Sequence, residues 1–189
     1  TLRQQEKKET AYLSLCDFIS PKHDYIGIFA VSINGADEME KEYQNEGDMY
    51  DALLIKSLAD RLAEATAEWL HEQIRKKYWG YAKNETLSVE DMRKSRYQGI
   101  RPAVGYPSLP DQSLIFRLNN ILPLERIDIT LTENGAMHPN ASICGLMIAH
   151  PQAFYFNIGK IDKHQLLSYA QRSGKSIDEM RKWLQKNIT

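Results

Sequence analysis

The 189-residue sequence predicts an α+β fold, a mainly antiparallel twisted sheet flanked by helices. Three observations carry that expectation. One long helical pattern, with apolar residues at steps of three and four, runs from about residue 48 to residue 78. Three strand-like runs (127–132, 141–149 and 154–161) follow one another with no crossover helix between them, so antiparallel pairing is expected. Strands and helices also alternate too poorly for a doubly wound α/β sheet.

Taken in order, residues 2–15 read as an exposed helix, and residues 17–24 as a loop broken by Ser20-Pro21. Tyr25 to Ile33 is rich in β-branched and aromatic residues and reads as a strand. Asn34-Gly35 turns the chain into a polar, acidic helix from Ala36 to Gly47. Asp48 is a fitting N-cap for the long helix. Its stripe of Leu54, Leu58, Leu62, Ala65 and Trp69 is expected to face the core, with Glu68, Glu72, Arg75 and Lys76 mostly solvated. Gly80 ends it. Ser88 caps a short helix with Asp91 in its first turn. A helix is expected from about Ser113 to Asn120, then the three strand runs. A helix from Lys163 to Arg172 closes at Gly174, and Ser176-Ile177-Asp178-Glu179 is a capping box for the last one.

Composition narrows the function classes. Charged residues make up 26% and hydrophobic residues 42%, as in a soluble globular protein large enough to bury a core. The net charge of −1 leaves no basic footprint for nucleic acid. No apolar run approaches the roughly 20 residues of a membrane span. The opening residues do not read as a signal peptide. Cys16 and Cys144 are too few for a disulfide framework or a zinc site, and read as buried reduced thiols of a cytoplasmic protein. The five histidines show no metal spacing, so no metal ligand is assigned. There is no glycine-rich dinucleotide fingerprint, phosphate loop or nucleophile elbow.

The most informative segment is Arg101 to Asp111, where three of eleven residues are prolines. It can be neither a helix interior nor a central strand, and is expected to be a stiff, ordered loop. Arg101 opens it with a permanent cation, able to grip a carboxylate through two parallel hydrogen bonds. Ala103 and Gly105 permit close approach of a ligand to the main chain, and Tyr106 offers a ring. The competing readings are a surface ion pair for Arg101 and a ligand-free turn for the rest. Tyr155 and Phe156 are expected on the last strand with side chains on opposite faces, one in the core and one over a ligand; two core aromatics is the alternative. Glu64 sits among Ala63, Ala65 and Ala67, where small neighbours leave room for a ligand, with Asp60 one turn earlier. A solvated helix face is the alternative for both. Glu133 with His138 could form an acid/base pair, but the surrounding turn residues favour a structural role.

The blocks Arg101-Pro102-Ala103, Gly105-Tyr106-Pro107 and Pro110-Asp111 resemble the signature of the S-adenosylmethionine-binding activation (reactivation) domain of cobalamin-dependent methionine synthase. The likeness extends, in order and spacing, through Asp24-Tyr25-Ile26-Gly27, Ala59 to Ala65, Tyr78-Trp79-Gly80-Tyr81, Tyr97-Gln98-Gly99-Ile100, Leu131-Thr132-Glu133 and Pro139 to Ser142. It implies that residues 1–189 form one domain, the C-terminal portion of the activation domain, outside the Rossmann-type methyltransferase fold. An upstream portion that gives the family's pocket an acidic residue is missing, as in a fragment of a multidomain enzyme or in a short stand-alone relative.

By this resemblance Arg101 holds the ligand's carboxylate. Ala103, Gly105 and Tyr106 hold its adenosyl and amino groups, and Tyr155 with Phe156 forms the opposite wall. Glu64 lies near the ligand, and Asp60 faces a docked cobalamin domain. Phe156 stands where some relatives have tyrosine, so only a ring or backbone contact carries over there. The implied chemistry is reductive methylation in methionine biosynthesis. An electron from flavodoxin or a flavoprotein reductase regenerates cobalt(I), and the methyl group of S-adenosylmethionine traps it on cobalamin held by a separate domain. Such a domain positions its ligand and needs no catalytic acid, base or nucleophile of its own. A reactivator of another corrinoid protein and a non-catalytic interaction module are the competing readings.

Overall fold

The computed structural model describes residues 1–6 and 11–188. Its frame is a pair of antiparallel strands distant in sequence, β1 (Gly27–Ser32) and β4 (Ser142–Met147), in register from Gly27 opposite Met147 to Ser32 opposite Ser142. Period-two alternation sends their side chains to two cores. Phe29, Val31, Ile143 and Met147 join one core; Cys144, Ile28, Ala30 and Leu146 join the other. A second, two-residue ladder pairs β2 (Thr130–Leu131) with β3 (Met137–His138). The α+β reading stands and both ladders are antiparallel, but the three strand-like runs do not pair with one another: β4 pairs with β1, and Thr130–Leu131 with Met137–His138.

Six helices accompany these strands among the described residues. They are α1 (Ala36–Glu46), α2 (Met49–Gln73), α3 (Val89–Arg93), α4 (Leu114–Ile121), α5 (Lys163–Ser173) and α6 (Ile177–Trp183). The N-caps expected from sequence are in place, though Ser176 caps without the reciprocal half of the expected box, Glu179 pairing with Lys175 instead. Asp48 accepts from the backbone of Asp51, Ser88 from Asp91, and Ser176 from Glu179. Each satisfies one of the amide donors that a helix start leaves without an intrahelical partner. The long helix continues past Gln73 as a π-helical turn, Ile74–Tyr78, before Gly80 turns the chain at positive φ. No helix among the described residues is long and apolar enough to cross a membrane.

Helix α2 lies on the Phe29 side of the strand pair, with Ala59, Ala63 and Ala67 buried in that core. The other core gathers residues of α4, α5 and α6, among them Ile115, Leu166 and Met180. This placement overturns the expected stripe. Leu58, Leu62 and Trp69 are 50%, 55% and 57% exposed, with Leu54 and Ala65 also outward. Small alanines let the helix approach the sheet closely, which leucines at the contact would prevent. The polar set is misassigned too. Arg75 is fully buried, and Glu68 is only 26% exposed because it pairs with Arg101.

Four further expectations fail. The helix over residues 2–15 does not form in its described part: Arg3 bridges Ser14 antiparallel, and a 3-10 turn follows at Leu15–Phe18. Burying Leu2 and Leu15 in the large core, with Gln4 bonded to the carbonyl of Asn157, outweighs the propensity of a short isolated helix. Residues 7–10 of that span lie outside the described residues. The run 154–161 is not a strand; it is extended chain whose one bridge joins Ile161 to Ile188. The run 127–132 shrinks to Thr130–Leu131, because a 3-10 turn at Leu124–Ile127 takes its start. Of the two thiols, Cys144 is buried but Cys16 is exposed, its turn directing Leu15 and Phe18 inward instead.

Candidate functional site

The segment from Ile100 to Val104 runs along the free edge of β4. Ile100 and Ile148 exchange backbone hydrogen bonds at 2.9 Å, Leu146 N donates to Pro102 O at 3.0 Å, and Val104 N donates to Cys144 O at 3.0 Å. Proline tolerates this place because Pro102 has only a carbonyl to offer. Gly145 makes the approach possible, since a Cβ there would sit 2.7 Å from Ala103 Cα. Ala103 therefore faces the α2 core and Val104 the other one.

Beyond Val104 the loop is pinned at several points. Leu109 and Gly105 bond through the backbone at 2.9 Å. Buried Asp111 accepts from Ser113 N (3.0 Å) and from Tyr169 Oη (2.8 Å), so the Pro110-Asp111 block is an anchor. Ser108 Oγ donates to Phe156 O and accepts from Phe156 N at 3.1 Å. One buried hydroxyl thus locks the loop to the Tyr155-Phe156 segment and does the work expected of a strand ladder. Phe156 is buried with its ring near that of Phe18, and Tyr155 is partly exposed, its hydroxyl accepting from the Arg101 backbone.

Between loop, helix and sheet lies a cavity of about 410 Å³. Arg101, Ala103, Tyr106, Tyr155, Phe156 and Glu64, all named from sequence, line it. Gly105 does not. At φ +84° a Cβ would strike Gln112 Oε1, and the residue borders a separate depression behind the loop. Its structural contribution is the left-handed turn. Asp60 is exposed and lines an adjoining polar depression, which shares Glu64, Tyr106 and Ile143 with the cavity. Among the residues that sequence reasoning missed are Phe29, Ala67, Ser108, Ile143 and Asn157. The buried alanine face of α2 was the available signal for Ala67.

The cavity is polar at two places and apolar between. Arg101 Nη1 donates to Tyr97 Oη (2.9 Å), Nη2 pairs with Glu68 Oε2 (2.9 Å), and its backbone N–H donates to Tyr155 Oη (3.0 Å). Burial works against the charged guanidinium, but Tyr155, Tyr97 and Glu68 together hold its pKa above the ordinary value. Tyr106 Oη donates to Glu64 Oε1 at 3.1 Å, and burial and then Glu64 push that phenol's pKa up. The Tyr155 phenol is also raised, mainly by burial. Each of these groups therefore keeps its proton at neutral pH.

Behind Arg101 the end of α2 builds a support. The Arg75 guanidinium stacks 4.3 Å from the centre of the Tyr97 ring and is forked to Glu85 through three hydrogen bonds of 2.7–3.0 Å. His71 meets the same ring edge-on and lies 3.2 Å from Tyr81 Oη. Burial and then the two nearby arginines depress its pKa to about 3, so His71 is neutral. His138 pairs with Asp37 at 3.0 Å, which makes it a tie between β3 and α1 and no partner of Glu133.

A cation and a carboxylate flanking apolar walls of this volume suit a small ligand with a carboxylate and a flat ring. The family model described as "Vitamin B12 dependent methionine synthase, activation domain" matches residues 1–174. The chain is also similar to the crystal structure of the MetH reactivation domain bound to AdoHcy. It is 43% identical to that chain, with a TM-score of 0.94, over 99% of the present chain and 60% of the other.

Proposed function

This chain belongs to the activation-domain family of vitamin B12 dependent methionine synthase, and from that premise we propose that it binds S-adenosylmethionine in the cavity beneath the Arg101 loop. The observation that carries the reading is the placement of Arg101. Arg101 lines the cavity, while Phe29, Ile143 and Phe156 supply apolar wall beside it. Arg101 receives the ligand's carboxylate. Tyr106 and Glu64 take its polar adenosyl end, and Ala103 lets the ligand lie against the backbone. The structural neighbour binds AdoHcy, which is what remains of S-adenosylmethionine after its methyl group has left.

The role we assign is positioning of that methyl group for reductive methylation of a corrinoid on another domain of the same enzyme. Bound cobalamin would supply the nucleophile, and the sulfonium is already an activated donor, so this chain needs only to hold and orient. The adjoining depression that carries Asp60 is where we place the docked domain. Electrons would come from flavodoxin or a flavoprotein reductase.

Calorimetric titration with S-adenosylmethionine tests the binding step. Wild-type chain is expected to bind at micromolar to low millimolar affinity, and Arg101→Ala to lose at least about tenfold, the loss of one charge-assisted contact. Circular dichroism confirms that both are folded. No heat of binding from folded wild type, or full affinity in Arg101→Ala, would sink the reading.

A further inference from the structure

Helix α2 places two carboxylates one turn apart, and each grips a different part of the Arg101 loop. Glu64 accepts from Tyr106 Oη at 3.1 Å, and Glu68 pairs with Arg101 Nη2 at 2.9 Å. Buried Ala63 and Ala67 lie on the neighbouring face, and Ala103 of the loop packs in their core. The loop is thus laid across α2 with a tie near either end.

The Glu68 tie is the unexplained one. Arg101 lines the cavity, but Glu68 and Tyr97 do not, so its two side-chain partners hold it from outside the cavity. An arginine has five N–H donors. Two are engaged by these partners, and the others remain for a ligand. Glu68 Oε1 is buried without a hydrogen-bond partner among the described residues, so the carboxylate meets Arg101 through one oxygen only. A second carboxylate beside the cation weakens the field that attracts a ligand's carboxylate. What it gives in return is orientation. A free arginine side chain carries considerable rotamer entropy, and a guanidinium already fixed loses less of it on binding.

We infer that Glu68, together with Tyr97, is a positioning residue that fixes the Arg101 guanidinium toward the cavity for the carboxylate end of the ligand. The inference rests on the binding reading above and deepens it. Glu68 acts through Arg101 and does not touch the ligand.

The test compares wild type, Glu68→Ala and Glu68→Gln in calorimetric titrations with S-adenosylhomocysteine and with its decarboxylated analogue, which lacks only the carboxylate. Glu68→Ala is expected to weaken S-adenosylhomocysteine about tenfold and the analogue less than about twofold. Glu68→Gln, which keeps an acceptor, is expected to restore most of the loss. An equal loss for both ligands, or none for either, overturns the inference. A second readout needs no ligand: the ¹⁵N-edited Nε–H resonance of Arg101, assigned by its disappearance in Arg101→Lys. It should be sharp and shifted in wild type and collapse into the averaged arginine band in Glu68→Ala. If it is averaged already in wild type, or unmoved by Glu68→Ala, the positioning role falls. Should wild type bind neither ligand, the binding reading fails, and this resonance alone still decides the role of Glu68.

Discussion

Helix α2 has two apolar faces, and they meet opposite fates. One carries Ala59, Ala63, Ala67 and His71, continues at the same four-residue interval to Arg75 in the π-helical turn, and is buried at each of these positions. The other carries Leu54, Leu58, Leu62 and Trp69, and it is exposed. Hydrophobic content would have ranked them the other way. Size decided, because a helix that must lie on a sheet and also admit a loop needs its smallest residues at the contact. Where the alanines stop, the same face needs polar partners to stay buried. It finds them in Tyr81, Tyr97 and Glu85.

The largest effect that would test this contrast lies at the polar end of the buried face. Arg75 is wholly inside, and Glu85 is its only ion-pair partner among the described residues. Glu85→Ala leaves that charge buried without a counter-ion, and is expected to cost about 3–5 kcal/mol in urea-induced unfolding. Glu90→Ala, which removes the partner of Lys94 on the exposed surface of α3, is the control, with a change under about 1 kcal/mol. Similar losses in the two variants would mean that Arg75 is solvated and that the buried face ends before it.

Much of this could be read from the chain, and the failures share a cause. Asp48, Ser88 and Ser176 announced their helices because capping is a local event. The loop from Arg101 to Asp111 announced itself because proline restricts backbone angles whatever the surroundings. Six side chains named from sequence line one cavity, although Gly105 turned out to shape the loop from behind. The orientation of α2 was not legible. Periodicity marks an apolar stripe but not what covers it, and the larger residues drew the assignment. Nor was the extended 154–161 segment legible as something other than a strand. Its ties run to residues distant in the chain, among them Ser108 to Phe156, Gln4 to Asn157, Pro107 to Ile158 and Ile188 to Ile161, and none leaves a local pattern. Arg75 and Glu68 were placed in solvent because charged residues usually are. Their partners, Glu85 and Arg101, come from other segments of the chain.

A smaller but more specific effect is expected in the middle of the alanine face. Ala67 is buried and also lines the candidate cavity. Ala67→Leu adds three carbons where helix, sheet and loop meet. Overpacking of this kind costs about 1–3 kcal/mol. Binding should suffer more than stability, because the side chain's easiest escape is into the cavity. Titration with S-adenosylmethionine should then show little or no binding by a variant that remains folded at room temperature. Retained affinity with reduced stability would place the ligand elsewhere, and would separate the packing role of the alanine face from the binding role given to it here.

The smallest effect belongs to the other face, and it is the sharpest test of whether the two differ in kind. Leu58 and Leu62 are half exposed, and glutamine is close to leucine in helix propensity. The double variant Leu58→Gln, Leu62→Gln should therefore change unfolding free energy by no more than about 0.5 kcal/mol, as for surface substitutions generally. It should leave S-adenosylmethionine affinity untouched, since neither residue reaches the cavity. Sedimentation of wild type and variant side by side completes the measurement. A loss of more than about 2 kcal/mol, near the value of burying a leucine, would mean that these side chains are covered in solution. If sedimentation then showed wild type associating and the variant not, the leucine face would be a buried face too, completed by a second copy of the chain.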